Sequence, residues 1–251
     1  MTKETGMNKR EMQRERMRRA KQRDKQKIIW VVVAFALLFA GLMVLPNLVP
    51  TGDIIMPEEP IQRAQVDGNG VGDPNAPIKI VEYSDFQCPY CAVFAKQIEV
   101  YLVNSYVKEG MVHFTYRSFG EFIGPESRGA AEAAYCAGDQ GRFWEMHDII
   151  FANHSGGENV GDFTNRRLTA FAEKLELDMD AFTACFNGGT YSDRVDQDYV
   201  DGSAAGINAT PSFVMSYVVN GETRKVLIEG AQPFTEFQSK IDAALAEMGL
   251  K

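Results

Sequence analysis

The chain has 251 residues and a formal net charge of −8, but the two signs of charge are unevenly distributed. Residues 1–27 contain eleven Lys or Arg against four Asp or Glu, whereas the remainder contains fifteen against thirty. So acidic a body is a poor candidate for nucleic-acid binding, which needs a basic surface. Its length is sufficient to bury a full hydrophobic core without structural metals.

The first predicted element is an apolar segment that follows the basic arm of residues 1–27. Ile28–Leu45 reads IIWVVVAFALLFAGLMVL and carries no charge, and with the next few residues it is long enough to cross a bilayer as a helix. Because the positive charges precede it, we expect a single-pass signal anchor over residues 28–49, with a cytoplasmic N-terminus and an extracytoplasmic body. A cleaved signal peptide is the alternative, although LPNLVPTGD contains no small-x-small cleavage site. Residues 50–72 have the proline and glycine content of a linker.

The folded domain is expected over residues 73–251. In chain order the residue patterns predict a strand at 77–83, a helix at 89–108, a strand at 111–117, a helical stretch from 125 to about 206, strands at 211–219 and 223–229 joined by Asn220-Gly221, and a helix from about 233 to 250. Strands at both ends with helices between them indicate an α/β domain. The helical stretch is too long for a simple crossover, so we expect an inserted helical subdomain, in which Asp178 caps a short helix.

The motif Cys88-Pro89-Tyr90-Cys91 lies where the first predicted strand of this domain gives way to a helix. A helix N-terminus stabilises an anion through its unpaired N–H groups and its dipole, so Cys88 is the predicted nucleophile. Pro89 suits the first helical turn, and the spacing lets Cys91 act as the resolving thiol. A static disulfide or half of a zinc site are the alternatives, but zinc would need two further ligands at suitable spacing. We therefore expect neither a metal nor a cofactor.

Glu82 precedes the motif by six residues and shares one face of the predicted strand with two isoleucines. If the strand is central, Glu82 is a buried carboxyl that moves protons for the Cys91 thiol. The alternative is a strand-end glutamate turned to solvent. Later in the chain, Pro211 opens a strand, and from the residues alone an ordinary trans bond after Thr210 is the simpler interpretation.

The other two cysteines, Cys136 and Cys185, are separated by most of the predicted helical stretch. An even number of cysteines in an extracytoplasmic domain favours disulfides, so we expect these two to form a structural bridge. The alternative is two buried free thiols that act as small apolar side chains.

Three segments resemble the DsbA-like thioredoxin superfamily, in the membrane-tethered form found in many bacteria. They are KIVEYSDFQCPYC, AAYCAGDQGRFWEMHDIIF and GINATPSFVM, which occur in the expected order. The resemblance implies a thioredoxin fold with a helical insertion, Cys88 as the attacking thiol and Cys91 as the resolving thiol. It also implies that Pro211 is a cis-proline facing the pair, that Thr210 tunes redox behaviour, and that Glu82 is the acidic residue before the motif.

Tyr90 departs from the best-known oxidases of this superfamily, which carry histidine at that position and can use it to stabilise the thiolate. CPYC is also the glutaredoxin motif, but glutaredoxins are small, cytosolic and lack the helical insertion. We therefore expect formation of disulfides in exported proteins, with substrate contacts at Pro89, Tyr90 and Thr210 and a membrane partner that reoxidises the pair. A reductase or isomerase is the alternative enzyme, and a non-catalytic peptide-binding module is the alternative class.

Overall fold

The computed structural model describes residues 9–48, 52–120 and 123–251. The first residues of the predicted arm, the last residue of the predicted anchor and the first two residues of the predicted linker lie outside these ranges. The chain divides after Gly52 into two compact units, and each is described by itself.

The N-terminal unit contains one long helix, α1 (Lys9–Leu48), which includes most of the basic arm and most of the predicted anchor. Among the helices described, none has an apolar stretch long enough to cross a bilayer. The anchor at residues 28–49 stays a prediction.

The second unit begins at Asp53 and has the α/β composition predicted from the sequence. Its strands are β1 (Gly70–Val71), β2 (Ile78–Ser84), β3 (Val112–Ser118), β4 (Ser212–Val219) and β5 (Glu222–Glu229). Its helices are α2 (Pro89–Gln97), α3 (Glu99–Leu102) with a π-helical continuation (Val103–Val107), α4 (Pro125–Gly138), α5 (Phe143–Ala152), α6 (Asn165–Lys174), α7 (Met179–Asn187), α8 (Ser192–Ala204) and α9 (Phe234–Glu247).

The five strands form one mixed sheet in the order β1-β3-β2-β4-β5. β2 runs parallel to β3 and antiparallel to β4, and its residue Glu82 lies opposite Tyr116 on one side and Phe213 on the other. β2 is therefore the central strand, and residues 82–84 at its C-terminal end are buried on both faces. At the sheet edge, Asn220 and Gly221 both have positive φ, 52° and 80°, as a tight hairpin turn requires.

Local sequence explains where several helices begin. Pro89 and Pro125 occupy the first turns of α2 and α4, where a missing N–H leaves no bond unmade. The Asp178 side chain accepts hydrogen bonds from the first N–H groups of α7, so the predicted cap is confirmed. The predicted helical stretch is divided into the five helices α4–α8.

Two predicted boundaries were wrong. The helix expected over residues 89–108 is interrupted at Ile98, whose φ of −119° departs from helical geometry, so α2 and α3 are separate. Residues 53–72, expected to be a linker, belong to the compact unit and supply the edge strand β1. Their proline and glycine content reflects irregular structure packed on the domain rather than a free tether.

Aromatic side chains join the sheet to the helices on which the cysteine motif depends. Phe94 of α2 packs against Phe213 of β4 and Phe237 of α9, with ring centroids 4.5 and 5.6 Å apart. Phe86, in the loop between β2 and α2, lies 5.1 Å from Tyr116 of β3 and 4.9 Å from Phe151 of α5. Both ends of the β2–α2 connection are thus fixed by close packing.

Candidate active site

Cys88 occupies the N-cap position of α2, immediately after the central strand. The loop from β2 is tight, since the Cys88 N–H donates to the Asp85 carbonyl at 3.0 Å, and Pro89 fills the first turn of the helix. In the described part of the chain, no side chain caps this helix end. The free N–H groups of the first turn therefore remain available to an anionic sulfur at Cys88.

The structure places both motif cysteines as free thiols, with Cys88 5% exposed and Cys91 fully buried. Hydrogen bonding from the Cys91 thiol is the largest cause that lowers the pKa of Cys88, to about 6. Burial opposes this effect, while Thr210 and the N–H groups of Cys91 and Tyr90 add to it. At neutral pH the Cys88 sulfur is therefore a thiolate, which is the nucleophilic form.

Cys91 has the opposite character. Burial, and then the hydrogen bond and charge of Cys88, raise the pKa of Cys91 well above its usual value, and the charge of Glu82 raises it further. The Asp85 N–H lies 3.4 Å from the Cys91 sulfur. The two thiols of the motif therefore differ in proton affinity, so the Cys88 sulfur attacks and the Cys91 sulfur keeps its proton.

Glu82 is buried on β2, only 1% exposed, and its Oε2 atom has no hydrogen-bond partner among the described residues. Burial raises the pKa of Glu82 well above its usual value, the charge of Glu99 raises it further, and the charge of Arg63 opposes both. The solvent-facing alternative for Glu82 is therefore wrong. A buried acid with electrostatic influence on Cys91 is suited to exchange a proton with that thiol.

The Thr210–Pro211 peptide bond is cis, as the resemblance implied. The Cys88 sulfur lies 3.4 Å from the Thr210 carbonyl oxygen, so this segment faces the motif across 122 residues of sequence. Tyr90, between the two cysteines of the motif, is 66% exposed. The Cys88 sulfur therefore lies against the segment before β4, and an exposed aromatic ring belongs to the same motif.

A thioredoxin family model matches residues 65–243 of the chain. The chain belongs to the thioredoxin family. The match includes the whole cysteine motif, the helical insertion and the Thr210–Pro211 segment.

Curated relatives include a Na(+)/H(+) antiporter NhaA 1 of Salinispora arenicola, 32% identical over 65% of this chain and 23% of the relative. Another is a probable disulfide bond formation protein D of Bacillus cereus, 27% identical over 58% of this chain and 68% of the relative. The chain spans about a quarter of the length of the antiporter relatives that it matches.

Solved structures with this thioredoxin-family fold include the alpha-DsbA1 protein of Wolbachia pipientis, with a TM-score of 0.64 and 22% identity over 72% of this chain and 92% of that one. The BdbD protein of Bacillus subtilis superposes with a TM-score of 0.62 and 22% identity over 78% of this chain and all of that one. These likenesses show a DsbA-type thioredoxin fold with its helical insertion.

In this thioredoxin-family domain a disulfide joins Cys136 of α4 to Cys185 of α7, with their Cα atoms 5.8 Å apart. It connects two helices of the insertion. Neither sulfur contributes a hydrogen bond to the Cys88–Cys91 pair in the contacts described, and Cys185 instead faces Asp139. Among the residues described, no cluster of His, Cys, Asp and Glu has the arrangement of a metal site.

Sequence reasoning missed two residues of the β2–α2 loop. Asp85 is fully buried, its Oδ2 atom lacks a partner among the described residues, and burial raises its pKa to about 7. Gln87 is also buried. Its side-chain amide N–H group donates to Ser127 of α4 and to Asn159, and its backbone carbonyl accepts from His154 Nε2 at 2.7 Å. Their position in the loop that leads to Cys88 could have marked them as candidates. Sequence spacing does not, however, predict that polar loop residues are buried.

Proposed function

We propose that this chain is a thiol–disulfide oxidoreductase that cycles Cys88 and Cys91 between a dithiol and a disulfide. The observation that carries the proposal is the opposite shift of the two thiol pKa values, down to about 6 at the helix N-cap and well up at the buried partner. A static structural disulfide does not require such a difference between the pKa values of its two thiols. The DsbA-type fold and the disulfide-formation relative support the same activity.

In the oxidising direction, a substrate thiolate attacks the Cys88 sulfur of the Cys88–Cys91 disulfide. The Cys91 sulfur leaves with the electron pair and takes a proton, for which the buried Glu82 carboxyl, whose charge influences Cys91, is the proposed donor. A second substrate thiolate then attacks the substrate sulfur of the mixed disulfide and releases Cys88 as a thiolate. The substrate is oxidised and the pair reduced, and an external thiol oxidant must restore the disulfide.

Stabilisation of the Cys88 thiolate favours the reduced form of the pair, and a stabilised reduced form makes the disulfide an oxidant. Oxidation of substrate dithiols is therefore the favoured direction. Reduction or isomerisation uses the same residues, and the potential of the couple discriminates between them. Pro89, Tyr90 and Thr210 would contact the substrate, and Pro211 would face the mixed disulfide.

The proposed substrates are exported proteins, and the proposed oxidant is a membrane partner, because the uncharged run of residues 28–45 follows a basic arm. In this arrangement the N-terminus is cytoplasmic and the thioredoxin-family domain is extracytoplasmic. Alkaline phosphatase is active only outside the cytoplasm. When this reporter is fused after Lys251, it should therefore be active. Activity of a cytoplasm-only reporter at the same position would contradict the topology.

The catalytic roles are tested by trapping. A Cys91→Ser variant keeps the attacking thiol but cannot resolve, so covalent adducts with substrate proteins should accumulate on it. A Cys88→Ser variant should form no adducts and show no insulin-reduction turnover. Adducts on Cys88→Ser but not on Cys91→Ser would reverse the roles, and wild-type protein without any cysteine-dependent turnover would leave only the binding-module function.

A further inference from the structure

The turn that leads from β2 into α2 is organised around Asp85, which is fully buried. Its carbonyl oxygen accepts from the Cys88 N–H at 3.0 Å, and its side-chain Oδ1 accepts from the Gln87 N–H at 2.8 Å. An aspartate side chain that bonds the backbone N–H two residues further on forms an Asx turn, which restricts the local backbone. The carbonyl and the carboxyl group of Asp85 thus both fix the conformation of this turn.

The backbone N–H of Asp85 contacts the resolving sulfur. It donates to Cys91 Sγ at 3.4 Å. Cys91 is fully buried, so water does not solvate its sulfur, and a charge that forms there must be stabilised by groups of the protein. Both motif cysteines are free thiols in the structure. The contact therefore belongs to the state that opening of the Cys88–Cys91 disulfide produces.

The helical insertion holds the other end of the turn. The Gln87 side-chain Nε2 donates to Ser127 Oγ of α4 at 2.9 Å, and the Gln87 carbonyl accepts from His154 Nε2 at 2.7 Å. Since these bonds fix Gln87, the bond from its N–H to Asp85 Oδ1 connects residue 85 to a fixed point. Loss of the Asp85 carboxyl group would break this connection and leave the other contacts of Gln87 in place.

Opening of the disulfide places negative charge on the Cys91 sulfur. N–H groups already directed at the atom where charge develops accelerate such a step, because they need no reorientation during the reaction. Resting on the proposed oxidoreductase function, we propose that the Asp85 N–H stabilises Cys91 as the leaving group and that the Asp85 carboxyl group positions this N–H. Oδ1 accepts from Gln87 whether or not the carboxyl group carries a proton.

The step can be followed with dithiothreitol as the reductant. One dithiothreitol thiolate attacks the Cys88 sulfur, the bond between Cys88 and Cys91 breaks, and its electron pair leaves with Cys91 as a thiolate, which then takes a proton. The second dithiothreitol thiolate attacks the first dithiothreitol sulfur and releases Cys88 as a thiolate. The protein pair is reduced, and dithiothreitol is oxidised to its cyclic disulfide. The Asp85 N–H acts on the leaving sulfur, so reactions in which Cys88 itself is the nucleophile should not depend on it.

The experiment compares full-length Asp85→Ala with Asp85→Asn. Both variants lack the carboxyl charge, but only Asn keeps an oxygen that can accept from the Gln87 N–H. The first rate constant is that of disulfide opening in oxidised protein under excess dithiothreitol, measured by mass spectrometry after acid quenching. The second is that of Cys88 alkylation by iodoacetamide in reduced protein at a pH above the pKa of Cys88, a reaction without a leaving Cys91.

Disulfide opening should be at least about tenfold slower in Asp85→Ala than in Asp85→Asn, a smaller effect than the roughly hundredfold or greater loss when an oxyanion donor is removed outright. Alkylation of Cys88 should be similar in the two variants. Equal rates of disulfide opening overturn the proposal. So does an equal loss in both reactions, because a general distortion of the motif would slow both.

Hydrogen exchange tests the same contact if Asp85→Ala does not fold. Reduced Cys91→Ala protein lacks the accepting sulfur, so NMR should show faster deuterium exchange at the Asp85 N–H than in reduced wild type. The Cys88 N–H, which bonds the Asp85 carbonyl in the same turn, is the internal control and should exchange at an unchanged rate. An unchanged Asp85 N–H, or an equal change at both N–H groups, overturns the proposal.

Failure of the proposed function has a separate sign. Wild-type protein that forms no Cys88–Cys91 disulfide with oxidised glutathione refutes the oxidoreductase. Normal formation and opening of that disulfide, with equal opening rates in Asp85→Ala and Asp85→Asn, refutes only the role of Asp85.

Discussion

Loss of the Cys136–Cys185 bridge should destabilise the domain strongly without stopping its redox chemistry. The two cysteines are 49 residues apart in sequence and join α4 to α7. A loop of this length restricts the unfolded chain by about 4 kcal/mol in the chain-entropy treatment. For a domain of this size each kcal/mol shifts the melting temperature by about 2–4 °C, so the expected decrease is on the order of 10 °C.

The assay compares thermal and urea unfolding of the full-length Cys136→Ala/Cys185→Ala variant with oxidised wild-type protein. Wild-type protein treated with reductant serves as the control and should unfold close to the double variant. Turnover of insulin at a temperature where both proteins are folded should be similar, because neither sulfur contacts the Cys88–Cys91 pair. A free energy of unfolding within about 1 kcal/mol of oxidised wild type, with the bridge verified by mass spectrometry, would refute the reasoning.

Two further predictions concern groups near the helix N-terminus. The rate of Cys88 alkylation by iodoacetamide should rise with pH, with a midpoint at about pH 6, the lowered pKa of Cys88. A midpoint near pH 8.5, the usual pKa of a free thiol, would show that the thiolate is not stabilised. Burial raises the pKa of Asp85 from 3.8 to about 7, so the unfolded chain loses this proton first and the free energy of unfolding falls as pH rises from about 4 to about 7. Asp85→Asn should therefore be more stable than wild type at pH 7, by on the order of 2–4 kcal/mol, with little difference at pH 4 in urea unfolding. An equal gain at both pH values would point away from titration of Asp85.

The parts of the fold that follow from local residue patterns could be predicted from the sequence. The central strand β2, the hairpin at Asn220 and Gly221 and the cap at Asp178 each depend on a few neighbouring residues with specific backbone or hydrogen-bonding preferences. The placement of Cys88 at a helix N-terminus follows for the same reason. The cis bond before Pro211 came from family resemblance, since residue preferences alone favour trans.

The parts that depend on distant contacts could not be predicted. Arg63 lies in a segment whose composition is typical of a linker, yet it is buried because Glu99 and Asp148 reach it from α3 and α5. Burial of Asp85 depends on the packing of α4 and of the β2–α2 loop, for which spacing gives no signal. The break at Ile98 is a single-residue departure within an otherwise helical periodicity, which a pattern averaged over several turns does not resolve.

The reduction potential of the Cys88–Cys91 couple tests the central claim most directly. Full-length protein is equilibrated with glutathione buffers of known ratio, and the fractions of dithiol and disulfide are read after acid quenching and alkylation. Because the Cys88 thiolate is stabilised in the reduced form, the potential should be clearly less negative than the value of about −270 mV for cytosolic thioredoxin. A potential as negative as that of thioredoxin, or a pair that forms no disulfide, would contradict the account.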